Sequence, residues 1–342
     1  MNLTELNALP DRFLDMDAAN LHKILPGPTL IHLPGRRQEP LFVSILLHGN
    51  EDTGLKAIQS VLRGYQNREL PRALSLFVGN VSAARLGLRR LDGQPDYNRV
   101  WPGGEDNSSV EQSIMHQVVE SLRSRSPFAS IDIHNNTGLN PHYACINRLD
   151  QHFFHLATLF SRIVVYFIRP TGVQSAAFAT LCPSVTIECG KTDTPGSEEH
   201  AAEFINACLH LSDFPVHPIA KHDMDLFHTV VTVKVPENIE FGFGTNHLTL
   251  NFNENIDHFN FKELSPGTPF GHCQGNHLPI LAIDEGGNDV SESYFMVKGN
   301  QIVLRRQSMP AMLTRDERVI RQDCLCYLME RIDPGTTPHQ LK

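Results

Sequence analysis

The feature that most constrains this chain is an apolar run that ends abruptly in a polar turn. Residues 41–47 are almost entirely apolar, and the turn formed by residues 48–51, with the sequence His-Gly-Asn-Glu, follows them directly. Residues 52–62 then have the 3.6-residue apolar spacing of an amphipathic helix. A strand that leads through a short turn into a helix is the building unit of an open α/β sheet, where functional side chains gather at the carboxyl ends of the strands. The turn is therefore predicted to present an imidazole and a carboxylate at a strand end.

The alternation of strand and helix continues to about residue 211. Further apolar runs predict strands, and amphipathic segments predict the helices between them, at the following positions: strands 74–78, 129–133, 143–146, 163–167 and 184–187, and helices 109–122, 151–160 and 197–211. We predict an α/β fold, with a mixed, mostly parallel sheet and helices on both of its faces. Residues 1–40 are predicted to form an N-terminal arm with a helical fragment at 14–25.

After Pro215 the pattern changes to short strands separated by Gly, Asn and Pro turns. The strands are predicted at 229–235, 248–252, 278–283, 294–297 and 301–304, and one helix at 315–331 is predicted to close the chain. The sequence therefore predicts two domains. Residues 1–214 form the catalytic α/β domain with its arm, and residues 215–342 form a smaller β-rich domain with a C-terminal helix.

Composition excludes several classes of partner. The formal net charge of −9 argues against nucleic acid, and no apolar run approaches the roughly 18 residues of a membrane span. The N-terminal residues lack the basic and apolar blocks of a signal peptide. Seven cysteines without a CxxC pair argue against a disulfide framework. We expect a cytoplasmic protein with neither nucleic-acid nor membrane partners, and a homo-oligomer is compatible with the sequence.

The spacing of His48 and Glu51 is weak evidence for a metal site by itself, because the same spacing recurs at His200 and Glu203. The second pair lies inside a predicted amphipathic helix, where a solvated helix face explains it. The first pair differs in its context, since a buried strand precedes it and a helix follows it. That is the position at which α/β enzymes hold their functional groups.

Two further predicted strands also end in residues that can bind a metal or a proton. His134 and Glu188 each follow an apolar run. Each has an ordinary structural interpretation, as a hydrogen-bonded core histidine and as a strand-end carboxylate in water. With the first turn, however, they complete a hydrolytic zinc site in which His48, Glu51 and His134 bind one Zn²⁺ per chain and leave a position for water. Glu188 is then the predicted general base that takes a proton from that water.

The order of these motifs resembles the succinylglutamate desuccinylase/aspartoacylase family, a branch of the zinc-carboxypeptidase superfamily. The resemblance covers roughly residues 41–211, and the β-rich second part also fits the family's architecture. The matching segments are His-Gly-Asn-Glu at 48–51, Asn-Arg at 98–99 after Asp96, Asp-Ile-His-Asn at 132–135 and Ile-Glu at 187–188. The resemblance implies a zinc-dependent hydrolase that cleaves the amide bond of a small N-acyl amino acid, so the expected partner is a small amide that bears a carboxylate.

The resemblance also implies roles for residues between the strands. Asn98 and Arg99 would bind the substrate's carboxylate, and Arg90 would polarise the scissile carbonyl while Arg89 contributes to substrate binding. The loop before Asn98 is slightly longer than the family's usual form, so the choice between Arg89 and Arg90 stays open. Residues 134–142 also depart from the pattern of either namesake enzyme, and the substrate therefore stays open as well.

Two other functions are compatible with the same residues. A zinc carboxypeptidase that acts on peptide C-termini would also use Asn98 and Arg99, because its substrates end in a carboxylate. A metal- or carboxylate-binding protein without turnover would need the same ligands but no general base. The last alternative predicts that Glu188→Gln leaves ligand affinity intact and has no activity to remove.

Overall fold

The structure is a computed structural model that describes residues 2–105, 108–244, 248–275 and 277–336. The chain divides into two compact units. The first consists of Met1–Asn135, His142–Leu226 and Asp333–Lys342, and the second consists of Asn136–Pro141 and Phe227–Ile332.

The main division lies between residues 226 and 227, later than the predicted 214 and 215. The residues in between are bound to the first unit. His155 Nε2 donates to the carbonyl of His217 at 2.8 Å, and the backbone N–H of Ile219 donates to Gln151 at 2.9 Å. These tertiary hydrogen bonds leave no signal in the composition of the segment.

The first unit is built on a mixed sheet. Its strands are β1 (Thr4–Leu6), β2 (Thr29–Leu33), β3 (Gly35–Ile45), β4 (Leu70–Val78), β5 (Ala129–Asn136), β6 (Tyr143–Ile146), β7 (Ile163–Tyr166) and β8 (Ser184–Lys191). They lie in the order β1-β2-β4-β3-β5-β8-β6-β7. The pairs β1–β2, β3–β4, β3–β5 and β6–β7 are parallel, and the pairs β2–β4 and β6–β8 are antiparallel. The predicted mixed, mostly parallel sheet is confirmed.

Helices pack on both faces of this sheet, as predicted. They are α1 (Thr53–Arg63), α2 (Val81–Ala84), α3 (Val110–Arg123), α4 (Gln151–Thr158), α5 (Gln174–Phe178) and α6 (Ser197–His210). Phe42 of β3 packs with Met115 of α3 and Phe178 of α5, whereas Ile45 of β3 lies against Gly54 of α1. Since successive strand side chains point to opposite faces, Phe42 and Ile45 contact helices on different sides. Among the described helices, none is both long and apolar enough to cross a membrane.

Residues 1–40 contribute two strands and the start of a third to the sheet, so they are not only an arm. The helical fragment predicted at 14–25 is present only as two short 3₁₀ helices, Phe13–Asp15 and Ala18–Lys23. Between them Met16 is extended, and Asp17 starts the second helix by accepting a hydrogen bond from the backbone N–H of Asn20. This local cap interrupts a pattern that otherwise has helical spacing.

The second unit is rich in β-structure, as predicted. Its strands are β9 (Asp225–Lys234), β10 (Phe241–Phe243), β11 (Leu250–Phe252), β12 (Pro269–Cys273), β13 (Leu281–Asp284), β14 (Phe295–Lys298), β15 (Gln301–Leu304), β16 (Met309–Ala311) and β17 (Cys326–Arg331). One five-stranded sheet has the order β10-β11-β12-β15-β14. β9 pairs antiparallel with β13 and β17, and β17 pairs antiparallel with β16. A 3₁₀ helix, Ile256–Phe259, and two short helices, α7 (Ser291–Tyr294) and α8 (Glu317–Gln322), complete the unit.

The helix predicted over 315–331 is wrong in its second half. Only Glu317–Gln322 is helical, and Cys326–Arg331 is the strand β17. Residues 324–329 form a continuous apolar run, which fits a buried strand as well as a buried helix. Residues 326–331 form a strand because β9 and β16 pair with them on either side.

Candidate metal and catalytic site

The three predicted metal ligands lie together at the carboxyl ends of β3 and β5 in the first unit. The two strands pair parallel, so the turn after β3 and the end of β5 lie at the same edge of the sheet. His48 Nδ1 is 2.8 Å from Glu51 Oε1. His134 Nδ1 is 2.7 Å from Glu51 Oε2 and 3.2 Å from His48 Nδ1. All three side chains are buried, and their ligand atoms lie within 4.8 Å of one another.

A carboxylate holds the far side of each imidazole. His48 Nε2 lies 3.0 Å from Asp96 Oδ1, and His134 Nε2 lies 2.7 Å from Asp132 Oδ2. An ionised carboxylate only accepts hydrogen bonds, so Asp96 and Asp132 each favour a proton on the Nε2 that faces them, while each Nδ1 faces the Glu51 carboxylate. The Glu51 carboxylate and the two Nδ1 atoms face one another, and a bound cation would take the place of any proton that they share. A metal cation fits this donor set, whose carboxylate–imidazole pairs are typical of zinc ligands.

The charges of the cluster are compatible with a bound cation. Burial by itself would raise the pKa of Glu51 and that of Asp96. The imidazole ligands hold the pKa of Glu51 well below its ordinary value, and an imidazole together with Arg89 does the same for Asp96. Burial by itself would lower the pKa of His134, but Asp132 and Glu51 raise it well above its ordinary value. The carboxylates therefore stay ionised, and their field attracts positive charge to the imidazoles.

Glu188, the predicted general base, is a buried residue of β8 that lies opposite Tyr143 of β6. Burial raises the pKa of Glu188 to about 8, and the charge of His134 reduces this shift while that of Glu51 increases it. The carboxyl group is therefore close enough to the ligands to sense their charges. A carboxyl group with a pKa near neutrality can both accept and donate a proton, as a general base that later acts as a general acid must do.

Of the two adjacent arginines, Arg89 lies beside the ligands. Its Nη2 donates to Asp96 Oδ2 at 3.0 Å, and its Nη1 is 3.6 Å from Glu51 Oε1. Arg90 instead donates through Nη1 to the carbonyl of Gln94, within its own loop. Arg89 is therefore the arginine that lies near the predicted ligands, whereas Arg90 is bound within its own loop.

The other two predicted substrate-binding residues occupy different surroundings. Arg99 is partly buried, its Nη1 donates to the carbonyl of Asn98 at 2.8 Å, and its charge helps to lower the pKa of Asp96. Asn98 is buried, and its Nδ2 lies 3.2 Å from Asp132 Oδ2. Its Oδ1 accepts a hydrogen bond from the backbone N–H of Gln174 at 2.9 Å. The guanidinium of Arg99 is thus near the cluster, while the amide of Asn98 faces the carboxylate that holds an imidazole.

Sequence reasoning missed two groups that hold the ligands. Asp96 lies in an irregular loop, where no periodicity marks it as a partner of His48. The backbone N–H of Asn135, which donates to Glu51 Oε2 at 3.1 Å, leaves no side-chain signal at all. The repeated spacing at residues 200–203 does lie in a helix, as predicted, and His200 Nε2 there donates to a backbone carbonyl at 2.8 Å.

Comparison with known proteins agrees with the fold and the motifs. A family profile described as the succinylglutamate desuccinylase/aspartoacylase catalytic domain matches residues 39–214, more than half of the chain. No curated protein sequence matches this chain significantly.

Solved structures with the same fold have low sequence identity to this chain. The succinylglutamate desuccinylase from Chromobacterium violaceum has a TM-score of 0.57 and 15% identity, and the match covers 88% of this chain and 86% of that one. The enzyme of the same name from Vibrio parahaemolyticus has a TM-score of 0.59 and 13% identity, with 89% and 86% covered. Murine aminoacylase 3 has a TM-score of 0.53 and 14% identity, with 87% and 97% covered. These structures share the fold, and the family profile shows that the chain belongs to the succinylglutamate desuccinylase/aspartoacylase family of the zinc-carboxypeptidase-like superfamily.

Proposed function

We propose that this protein is a zinc-dependent hydrolase that cleaves the amide bond of a small N-acyl amino acid. The observation that carries the proposal is the convergence of two imidazole nitrogens and a carboxylate, with a second carboxylate on the far side of each ring. His48, Glu51 and His134 would hold one zinc ion per chain. When bound, zinc lowers the pKa of a water molecule toward ~7 and polarises a carbonyl oxygen.

Glu188 would move the proton in this reaction. As a carboxylate it would accept a proton from the attacking water, and as a carboxylic acid it would return that proton to the leaving amine. Burial favours this exchange, because with a pKa of about 8 both the ionised and the protonated form of Glu188 are populated near neutral pH. A nearby cation would shift that pKa downward and increase the fraction that is ready to act as a base.

Two arginines would stabilise the negative charges of the substrate. Arg89 is fixed by its hydrogen bond to Asp96, so its charge is oriented before the substrate arrives. It would stabilise the negative charge that develops on the carbonyl oxygen. Arg99 would bind the carboxylate of the amino acid, since a guanidinium matches a carboxylate with two parallel hydrogen bonds. A small amide with a free carboxylate is therefore the proposed substrate class.

A cytoplasmic location remains part of the proposal. It is supported by the seven cysteines, which are all buried as free thiols. The proposed partners do not include nucleic acid or a membrane.

Metal content tests the site. Elemental analysis of the purified protein should find about one zinc per chain. His48→Ala should lose the metal, and His200→Ala is the matched control, because His200 has the same sequence spacing to a glutamate but lies in α6. Equal zinc content in the two variants would refute the ligand assignment.

Activity tests the reaction. The zinc-loaded protein should release amine from at least one member of a panel of N-succinyl, N-acetyl and N-formyl amino acids. Glu188→Gln should keep its zinc and lose activity by about 10²- to 10⁴-fold, because the proton acceptor is removed. Faster cleavage of short peptides than of every N-acyl amino acid would favour the carboxypeptidase alternative. Tight ligand binding without turnover in wild type would favour the non-catalytic one.

A further inference from the structure

We propose that Asn135 is a positioning residue that restrains the strand of Glu188 relative to the turn that carries Glu51. This inference rests on the proposed function, because it gives Asn135 a part in the same reaction. Asn135 directly follows His134 in β5, and it is buried, with 6% of the residue exposed. Its side chain belongs neither to the predicted ligand set nor to the predicted substrate contacts.

The side-chain amide of Asn135 contacts the backbone of two other segments. Its Nδ2 donates to the carbonyl of Gly190 at 3.1 Å, and its Oδ1 accepts a longer hydrogen bond, 3.4 Å, from the backbone N–H of Thr53. A carbonyl only accepts and a backbone N–H only donates, so these two partners determine the orientation of the amide. The main chain of Asn135 adds a third contact, since its N–H donates to Glu51 Oε2 at 3.1 Å. One residue therefore joins β5 to both β8 and the start of α1.

Each backbone partner of the amide lies two residues from a functional carboxylate. Gly190 follows Glu188 by two residues in β8, and Thr53, the first residue of α1, follows Glu51 by two residues. Two residues of extended chain span at most about 7 Å, so a restraint on one of these positions also limits the movement of the other. Asn135 thus links the position of the proposed base to that of a proposed ligand.

The end of β8 needs such a restraint because its backbone is irregular there. Gly190 has a φ of +69°, a left-handed value that interrupts the extended conformation two residues after Glu188. The strand lies between β5 and β6. On the β6 side, Glu188 pairs with Tyr143. On the β5 side, the amide of Asn135 holds the carbonyl of the irregular residue itself.

The start of α1 also receives a cap from Asn135. The N-cap residue of this helix is Asp52, whose carboxylate pairs with Lys56 at 3.0 Å rather than with the helix N-terminus. The first N–H groups of a helix have no partner within the helix, and a side-chain oxygen from elsewhere can satisfy one of them. The Oδ1 of Asn135 does this for Thr53.

A restraint of this kind matters for a base that takes a proton from a bound water. Proton transfer requires the base to lie within hydrogen-bonding reach of that water, and a displacement of about 1 Å can lower the rate by about 10²-fold. Loss of the Asn135 amide should therefore reduce the rate of the chemical step. It should have less effect on metal binding, because the main-chain N–H that contacts Glu51 remains.

The test compares four full-length proteins: wild type, Asn135→Ala, Asn135→Asp and the control Gln59→Ala. Gln59 is the matched control because it is also 6% exposed and its side chain donates to two backbone carbonyls, those of Phe13 and Met16, both at 2.7 Å. It lies in α1, the helix that Asn135 caps, but its contacts are with the N-terminal segment. Asn135→Asp has nearly the original size and loses only the donor to Gly190.

The first measurement is steady-state kinetics at saturating Zn²⁺, with the N-acyl amino acid of the panel that wild type cleaves fastest. Asn135→Ala and Asn135→Asp should lower kcat by about 10- to 100-fold and leave KM within a few-fold of wild type. Gln59→Ala should keep the kcat of wild type. A strongly raised KM with an unchanged kcat in Asn135→Ala would overturn the proposal and assign the amide to substrate binding.

The second measurement is hydrogen–deuterium exchange of the metal-free proteins, which does not depend on activity. Residues 51–56 and 188–193 should exchange faster in both Asn135 variants than in wild type, and Gln59→Ala should leave both segments unchanged. Unchanged exchange in the Asn135 variants would refute the restraint. If Asn135→Ala does not fold, as circular dichroism would show, Asn135→Asp decides by the same two criteria.

The two measurements separate this proposal from the function on which it rests. If wild type cleaves no amide in the panel, the proposed function fails, and exchange alone decides whether Asn135 restrains the two segments. If wild type is active and both Asn135 variants match its kcat, the proposed function stands and the positioning role is refuted.

Discussion

In the metal-free protein, Glu188 should make the free energy of unfolding depend on pH, and the substitution Glu188→Gln should remove that contribution. The pKa of Glu188 is raised from 4.5 to about 8, mainly by burial. Between these two values the folded state binds more protons than the unfolded state. The free energy of unfolding therefore decreases as the pH rises through this window. Glutamine has nearly the same shape and no charge, so Glu188→Gln should remove this contribution.

The size of the effect follows from the shift. One pKa unit corresponds to about 1.4 kcal/mol, so the variant should gain stability over wild type by about 1.4 kcal/mol per pH unit between roughly pH 5 and pH 8. At pH 7 the difference should reach about 3 kcal/mol. Glu51 and Asp96, whose pKa values are lowered, change stability with the opposite sign. They are present in both proteins, so the difference between the two isolates Glu188.

The assay is urea unfolding of both proteins after treatment with a chelator, at one-unit steps from pH 5 to pH 8. Zinc-loaded samples provide a second comparison. A bound cation favours the ionised carboxylate, so the same difference should vary less steeply with pH when zinc is present. A difference that is constant from pH 5 to pH 8 in the metal-free proteins would show that burial does not keep Glu188 protonated, and the reasoning would be wrong.

Three further outcomes follow from individual contacts. Arg89→Ala should lower kcat/KM by about 10²- to 10³-fold because a fixed cation is lost beside the ligands, whereas Arg90→Ala should change it only a few-fold in the same assay. Arg72→Met should lower the free energy of unfolding by about 2–4 kcal/mol, since the guanidinium donates to three backbone carbonyls and lies 3.6 Å from the ring centroid of Phe128. A urea titration that finds no loss of stability would contradict this. Chelation should lower the thermal midpoint of wild type but not that of His48→Ala, as differential scanning fluorimetry can measure.

The part of the site that lies at strand ends was predictable from the sequence. His48, His134 and Glu188 each follow an apolar run, and buried strands are the elements that such runs predict best. Parallel pairing of β3 with β5 then places the first two residues at one edge of the sheet. The prediction needed no knowledge of the loops, because the direction of the strands already determines which of their ends meet.

The groups that orient the ligands were not predictable in the same way. Asp96 and Arg89 belong to a loop without periodicity, and their contacts with the ligands join residues far apart in sequence. The errors elsewhere have a similar origin. Residues 29–33 and 326–331 are strands because β4 and β9 pair with them, and such pairing leaves little trace in the paired segment itself.

Gly49 explains physically why the His-Gly-Asn-Glu turn differs from the same spacing elsewhere in the chain. A Cβ on Gly49 would overlap the backbone of Ala84, so the turn can pack against α2 only with glycine at this position. The N–H of Gly49 also donates to the carbonyl of Arg89 at 3.1 Å, which anchors the arginine that lies beside the ligands. At 200–203 two alanines separate the histidine from the glutamate inside a helix, and neither contact can form there. The glycine is therefore as informative as the two ligands, because it connects the turn that supplies them to the loop that supplies the nearby cation.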